Sequence, residues 1–204
     1  MRPSDVAAAV LAAALLGACS ASGAGTSATG NQAAHVDAAA RPAAVATPAA
    51  SQERTERPVS VTLPSGRVLP VDVVRTLPGG ALAIPRDIHR AGWWAGSSRL
   101  GDPFGSIVLA AHVDSFTQGV GPAAELLSTR PGARVHLAAR HRAQSYRVTS
   151  VRVVPRADLR REEVVFSAAG SRRLVLITCG GAYDAARGGY QDNVVVVARP
   201  TRHS

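Results

Sequence analysis

Cysteine and histidine are the residue types in this chain best suited to covalent chemistry, and there are few of either: two cysteines, Cys19 and Cys179, and six histidines. Cys179 ends the apolar run Leu176-Ile177-Thr178 and is followed at once by Gly180-Gly181. A thiol at the end of a buried strand, with glycines just beyond it, is open to a groove because glycine lets backbone and substrate approach closely. Cysteine attacks a carbonyl as the thiolate, needs a proton donor for the leaving amine, and gains from a group that stabilises the oxyanion. Histidine suits the donor role best. His112 closes the apolar run 106–111 and precedes a polar loop. His35 and His203 lie near the two ends of the chain, and His89, His136 and His141 sit near arginines in turns or on exposed faces. On residue types alone the pair of Cys179 and His112 competes with a plainer reading, a cysteine buried as a small hydrophobe and a histidine satisfied at the surface.

Other chemistries find less support. There is no Cys-x-x-Cys or spaced histidine cluster, and His112 with Asp114 makes only two adjacent ligands. With no glycine-rich phosphate loop and no calcium-type acidic cluster, neither a cofactor nor a metal is expected. The formal net charge is +9, and all 23 basic residues are arginine. They are scattered, and aromatic residues for base stacking are few, so nucleic-acid binding is not expected. The densest basic stretch, 134–161, alternates with apolar residues as the solvent face of strands would.

The elements that must position Cys179 and His112 are short β-strands separated by glycine and proline, the pattern of an all-β barrel or sandwich. Strands are expected over 59–63 and 67–75 around the turn Pro64-Ser65-Gly66, with a short opening strand at 81–84. Further strands are expected over 106–111, 134–138, 145–154, 173–177 and 193–198, the last two joined by a glycine-rich connection over 180–190. Only 123–128 invites a short helix.

The first quarter has a different composition. Val6 to Ala18 is an apolar run too short for an ordinary membrane span and suited to an export signal, although Arg2 is its only preceding basic residue and Asp5 opposes it. It ends Leu16-Gly17-Ala18-Cys19, similar to a bacterial lipobox, so lipidation at Cys19 is expected, with simple signal cleavage as the alternative. Residues 20–57 are rich in Ala, Ser, Gly, Thr and Pro and are expected to be a flexible tether. The expected division is thus 1–19 export signal, 20–57 tether and 58–201 catalytic domain. With Cys19 processed, Cys179 is a lone thiol in an exported chain, exposed to oxidation unless burial or chemistry accounts for it.

Five segments in register resemble the sortase family, particularly its actinobacterial class F. They are Leu82-Ala83-Ile84-Pro85, Ala91-Gly92-Trp93-Trp94, Val108 to Ser115, Leu176 to Gly181, and Tyr190 to Ala198. The resemblance implies a closed β-barrel of about eight strands with short helices in the connections. It also implies a transpeptidase that cuts a Leu-Pro-type sorting motif of exported proteins through a thioester on Cys179. His112 then protonates the departing amine and deprotonates the incoming amine of a cell-wall precursor. Three positions depart from the family pattern: Ala111 replaces the usual glycine, Val175 a common threonine, and Asn193 the oxyanion-stabilising arginine, counting back from Ala198. Asn193 can still donate a hydrogen bond, and Arg187 is the alternative cation. Trp93 and Trp94 are read first as packing and second as groove lining. A hydrolase on the same scaffold and a non-enzymatic cell-surface binding module are the rival readings. The sequence closes at Ser204 without a hydrophobic tail, so the chain is not expected to be a sorting substrate itself.

Overall fold

The computed structural model describes residues 54–201. The expected export signal, the lipidation site at Cys19 and the tether up to residue 53 lie outside the described residues. Among the described residues there are ten strands: β1 Ser60–Thr62, β2 Val68–Val74, β3 Ala91–Trp94, β4 Ser106–Ala110, β5 Asp114–Ser115, β6 Gly119–Val120, β7 Arg134–Ala138, β8 Ala143–Pro155, β9 Arg173–Asp184 and β10 Gly189–Pro200. Eight of them close a barrel in the order β1-β2-β3-β4-β9-β10-β8-β7, while β5 and β6 form a separate small hairpin. One α-helical turn, α1 Glu163–Phe166, and 3₁₀ turns including Pro122–Leu127 fill the connections. The expected closed barrel of about eight strands is therefore present.

The barrel follows from period-two patterning, because successive strand residues face opposite sides of the sheet. On β9, Leu174 and Leu176 join one buried cluster while Val175 and Ile177 join another; β10 divides Val194 and Val196 from Val195 and Val197 in the same way. The first cluster draws on all eight barrel strands, from Val61 to Ala198, and is the barrel interior. The second comprises Val108, Ala110, Val154, Val175, Ile177, Val195 and Val197, with Val165 of α1 packed over them. Strands buried on both faces read as continuous apolar runs rather than alternating ones, which is why β4, β9 and β10 stand out in the sequence.

Several boundaries differ from the sequence reading. Residues 81–84 form no strand, only a bridge between Thr76 and Leu82, because Pro85 ends the segment. Strand β3 falls instead at Ala91–Trp94, parallel to β2. The glycine-rich stretch after Cys179 is mostly strand: β9 runs on to Asp184 and β10 starts at Gly189. Between them the Asp184 carboxylate caps the amides of Ala186 and Arg187, and Gly188 adopts a left-handed conformation with φ 81°. Pairing is also present before Pro58: Glu56 and Leu100 exchange two backbone hydrogen bonds of 2.9 Å and the Glu56 carboxylate accepts the His141 amide.

Arg173 anchors the outer layer. It is only 4% exposed, and its guanidinium donates to the carbonyls of Val164 (2.8 Å), Ala169 and Ser171 (both 3.1 Å) and Ser167 (3.2 Å). The whole segment from α1 to β9 is thus pinned by one side chain with a planar fork of donors. Arg173→Met is expected to lower the unfolding free energy by about 3 kcal/mol in urea denaturation, with Arg173→Lys restoring only part of it.

Tyr146 is 1% exposed, and burial pushes its phenol up to about 12. An unfolded tyrosine ionises near 10. Between about pH 10 and pH 12 the unfolded chain therefore sheds a proton that the folded chain keeps, so stability is full below this window and falls through it. The expected slope is about 1.4 kcal/mol per pH unit, and Tyr146→Phe should remove that share of the alkaline loss in denaturation series across the window.

Candidate active site

Three strands bring the chemistry to one end of the outer face. β9 pairs with β4 in parallel, with Ala110 beside Ile177, and with β10 antiparallel, with Asn193 directly opposite Cys179. Positions 175, 177 and then 179 share the outer face on β9; 195 and 193 share it on β10; 108 and 110 share it on β4, with His112 next in the alternation. The segment carrying His112 is stitched to β9 twice: the Ala111 amide donates to the Ile177 carbonyl (3.0 Å), and the Thr178 hydroxyl donates to the Ala111 carbonyl (2.9 Å). His112 therefore leaves β4 alongside Cys179. The methyl group of Ala111 is absorbed into the barrel interior, and Val175 packs in the outer layer.

The two glycines after the cysteine are required by their surroundings. A β-carbon on Gly180 would lie 2.9 Å from Val194 Cγ2, and Gly181 has φ +75° with the Asp192 carboxylate filling the place of any side chain. Backbone therefore passes the half-buried, free thiol closely on its C-terminal side.

Burial pushes the Cys179 thiol above the ordinary cysteine value; the Asp114 carboxylate adds to the rise and the Arg156 guanidinium opposes it. At neutral pH the resting nucleophile is a thiol that needs a base. Asp114 itself accepts a 2.6 Å hydrogen bond from the Tyr190 hydroxyl, a bond that is the main reason the Tyr190 phenol is raised. This contact ties β5, two residues past His112, to the start of β10.

Asn193 is 7% exposed, and its Nδ2 is a buried donor with no partner among the described residues. Such a donor costs stability unless something arrives to accept from it. It lines an open groove of about 510 Å³ whose walls are Leu82, Ile84, Ala110, Leu159, Phe166 and Ile177, with Arg156 and Arg160 also present. Arg187 is placed differently: it lies on the exposed turn after β9 and its Nε pairs with Asp184 at 3.2 Å. Arg156, just past the end of β8, was hidden in the sequence within the basic stretch, and no residue-level pattern marks it. Trp93 is buried in the barrel interior and Trp94 packs edge-on against Phe166 at 5.5 Å, so neither lines the groove and only Trp94 backs its wall. Among the described residues no group of three or more potential ligands could hold a metal ion.

The electrostatics set a sign for two substitutions. Alkylation of Cys179 by iodoacetamide, followed against pH, should show an inflection above that of an ordinary thiol. Asp114→Asn should move it down and Arg156→Gln further up.

The sortase domain matches residues 67–201. Sortase C-1 from Actinomyces oris superposes with TM-score 0.54 at 19% identity, covering 71% of this chain and 73% of its own. Sortase C from Streptococcus pneumoniae gives 0.53 at 17%, covering 74% and 70%. A lid mutant of sortase A from Corynebacterium diphtheriae gives 0.54 at 18%, covering 74% of each chain. No curated protein sequence matches the chain significantly. At these identities the superpositions speak for the shared barrel, and the domain match, which spans well over half of the sequence, adds the lineage: this chain belongs to the sortase family of cysteine transpeptidases.

Proposed function

We propose that the chain is a class F type transpeptidase that cuts exported proteins at a Leu-Pro-type sorting motif and joins the acyl fragment to an amine of a cell-wall precursor. The observation that carries this reading is the unpartnered Asn193 amide, which lines an apolar groove directly opposite Cys179, with the segment before His112 bonded to the strand that carries the thiol. The groove walls suit an apolar residue pair of an extended peptide. Asn193, opposite Cys179, is the donor for the oxyanion, in preference to Arg187, whose guanidinium is engaged by Asp184.

His112 takes the proton of the Cys179 thiol as Sγ attacks the scissile carbonyl carbon, and the carbonyl oxygen becomes an oxyanion accepting from Asn193 Nδ2. Collapse breaks the C–N bond, and His112 returns the proton to the leaving amine, leaving a thioester. The acceptor amine then attacks the thioester carbonyl, His112 takes its proton, and collapse restores the thiol. The lipobox-like Cys19 supports anchoring at the outer face of the cytoplasmic membrane, with the segment after it as the spacer.

Mass spectrometry of the purified chain with Leu-Pro-containing peptides tests the reading through an acyl adduct on Cys179. Cys179→Ala and His112→Ala should abolish the adduct. Asn193→Ala should slow its formation about 10²-fold while keeping or raising the melting temperature, because it removes an unsatisfied buried donor. Adduct formation at the normal rate in any of the three would contradict the corresponding role. Diversion of product by added amine separates transfer from hydrolysis.

A further inference from the structure

The groove carries two arginines that meet no carboxylate among the described residues. Arg152 pairs with Glu162, Arg161 with Asp158 at 3.0 Å, and Arg187 with Asp184 at 3.2 Å, and none of these six lines the groove. Arg156 and Arg160 do line it. Arg156 is held in place by neutral acceptors: its guanidinium donates to the carbonyls of Arg187 (2.8 Å) and Gly188 (2.9 Å), and its amide to that of Gln191 (2.9 Å). A cation fixed this way keeps its charge and spare N–H donors for a further, anionic acceptor. Arg160 stands exposed on the 3₁₀ turn Leu159–Arg161 with no side-chain hydrogen bond or ion pair among the described residues.

Their position along the groove can be stated. Pro155 pairs with Asp192, so Arg156 begins the chain beyond β8 next to the strand that carries Asn193, and its charge is felt at the Cys179 thiol. Leu82, Ile84 and Phe166 supply the apolar part. Asp114, the acidic group that opposes Arg156 at the thiol, does not line the groove and is bonded to Tyr190.

We propose that Arg156 and Arg160 form a carboxylate subsite, so that the preferred donor peptide carries an aspartate or glutamate between its apolar pair and the bond that is cut. This rests on the transpeptidase reading and adds a substrate class to it. The arginine fork matches a carboxylate in two parallel hydrogen bonds. An uncharged isostere at the same position loses the charge assistance, and a lysine there is repelled.

The test uses the full chain and three peptides identical except for Glu, Gln or Lys at the position between the Leu-Pro pair and the scissile bond. Hydroxylamine serves as acceptor, so that no acceptor carboxylate contributes. The expected result is a kcat/KM roughly ten-fold higher for the Glu peptide than for the Gln peptide, shrinking as salt is raised. Arg160→Gln should reduce that ratio and Arg160→Glu should favour the Lys peptide. Arg156→Gln is read only through the same ratio, because it also alters the turn it holds. Equal turnover of the Glu and Gln peptides by the unaltered chain would overturn the subsite, as would a preference unmoved by substituting both arginines. Acyl adducts on Cys179 from all three peptides at equal rates would leave the transpeptidase reading standing and sink the subsite alone. Absence of an adduct from every peptide would sink both.

Discussion

Strand β9 pairs in parallel with β4 on one side and antiparallel with β10 on the other, and this double pairing is the constraint on which the site depends. Parallel pairing sets the end of β4 beside Ile177, so His112 leaves β4 alongside Cys179 while β9 runs on to Asp184. Antiparallel pairing brings the start of β10 to the same place. A thiol and an amide on paired strands and an imidazole two residues past the end of β4, separated by up to 81 positions between His112 and Asn193, are thereby brought to one region of the sheet. Sites built on paired strands are positioned more rigidly than sites built on loops.

The outer layer makes that sheet end a groove. Without α1 and the segment around Leu82 and Ile84, the outer faces of β4, β9 and β10 would be bare apolar surface, which monomeric proteins seldom expose in quantity. Arg173 holds this cover down through backbone carbonyls, so the wall depends little on the particular side chains of residues 167–171. Burial also raises the Cys179 thiol, which makes it dependent on a neighbouring base.

Much of this was legible in the sequence where burial on both faces left unbroken apolar runs: β4, β9 and β10 were found from Val108, Leu176 and Val195 and their neighbours. Cys179 and His112 were found because each ends such a run. Asn193 came forward only through the resemblance; its lack of a hydrogen-bond partner is a property of packing and has no sequence signature. Glycine density misled at 180–190, where Gly181 is needed by the Asp192 carboxylate beside it inside a strand, and loops were expected instead. Strand β3 was missed because four residues carry too little periodicity. Arg156 was indistinguishable from the surrounding arginines, since what sets it apart is its hold on the β9–β10 turn and its place on the groove, both products of the fold.

Arg156 does two things at once, and this bears on how the protein can change over generations. Its backbone and guanidinium strap the turn between β9 and β10, while its charge faces the groove. A lineage that drifted toward a different peptide could not give up this cation without loosening the hairpin that carries Asn193. Arg160 has no such second duty. Divergence in recognition should therefore accumulate at 160 first, leaving 156 as the slower, more conservative of the pair.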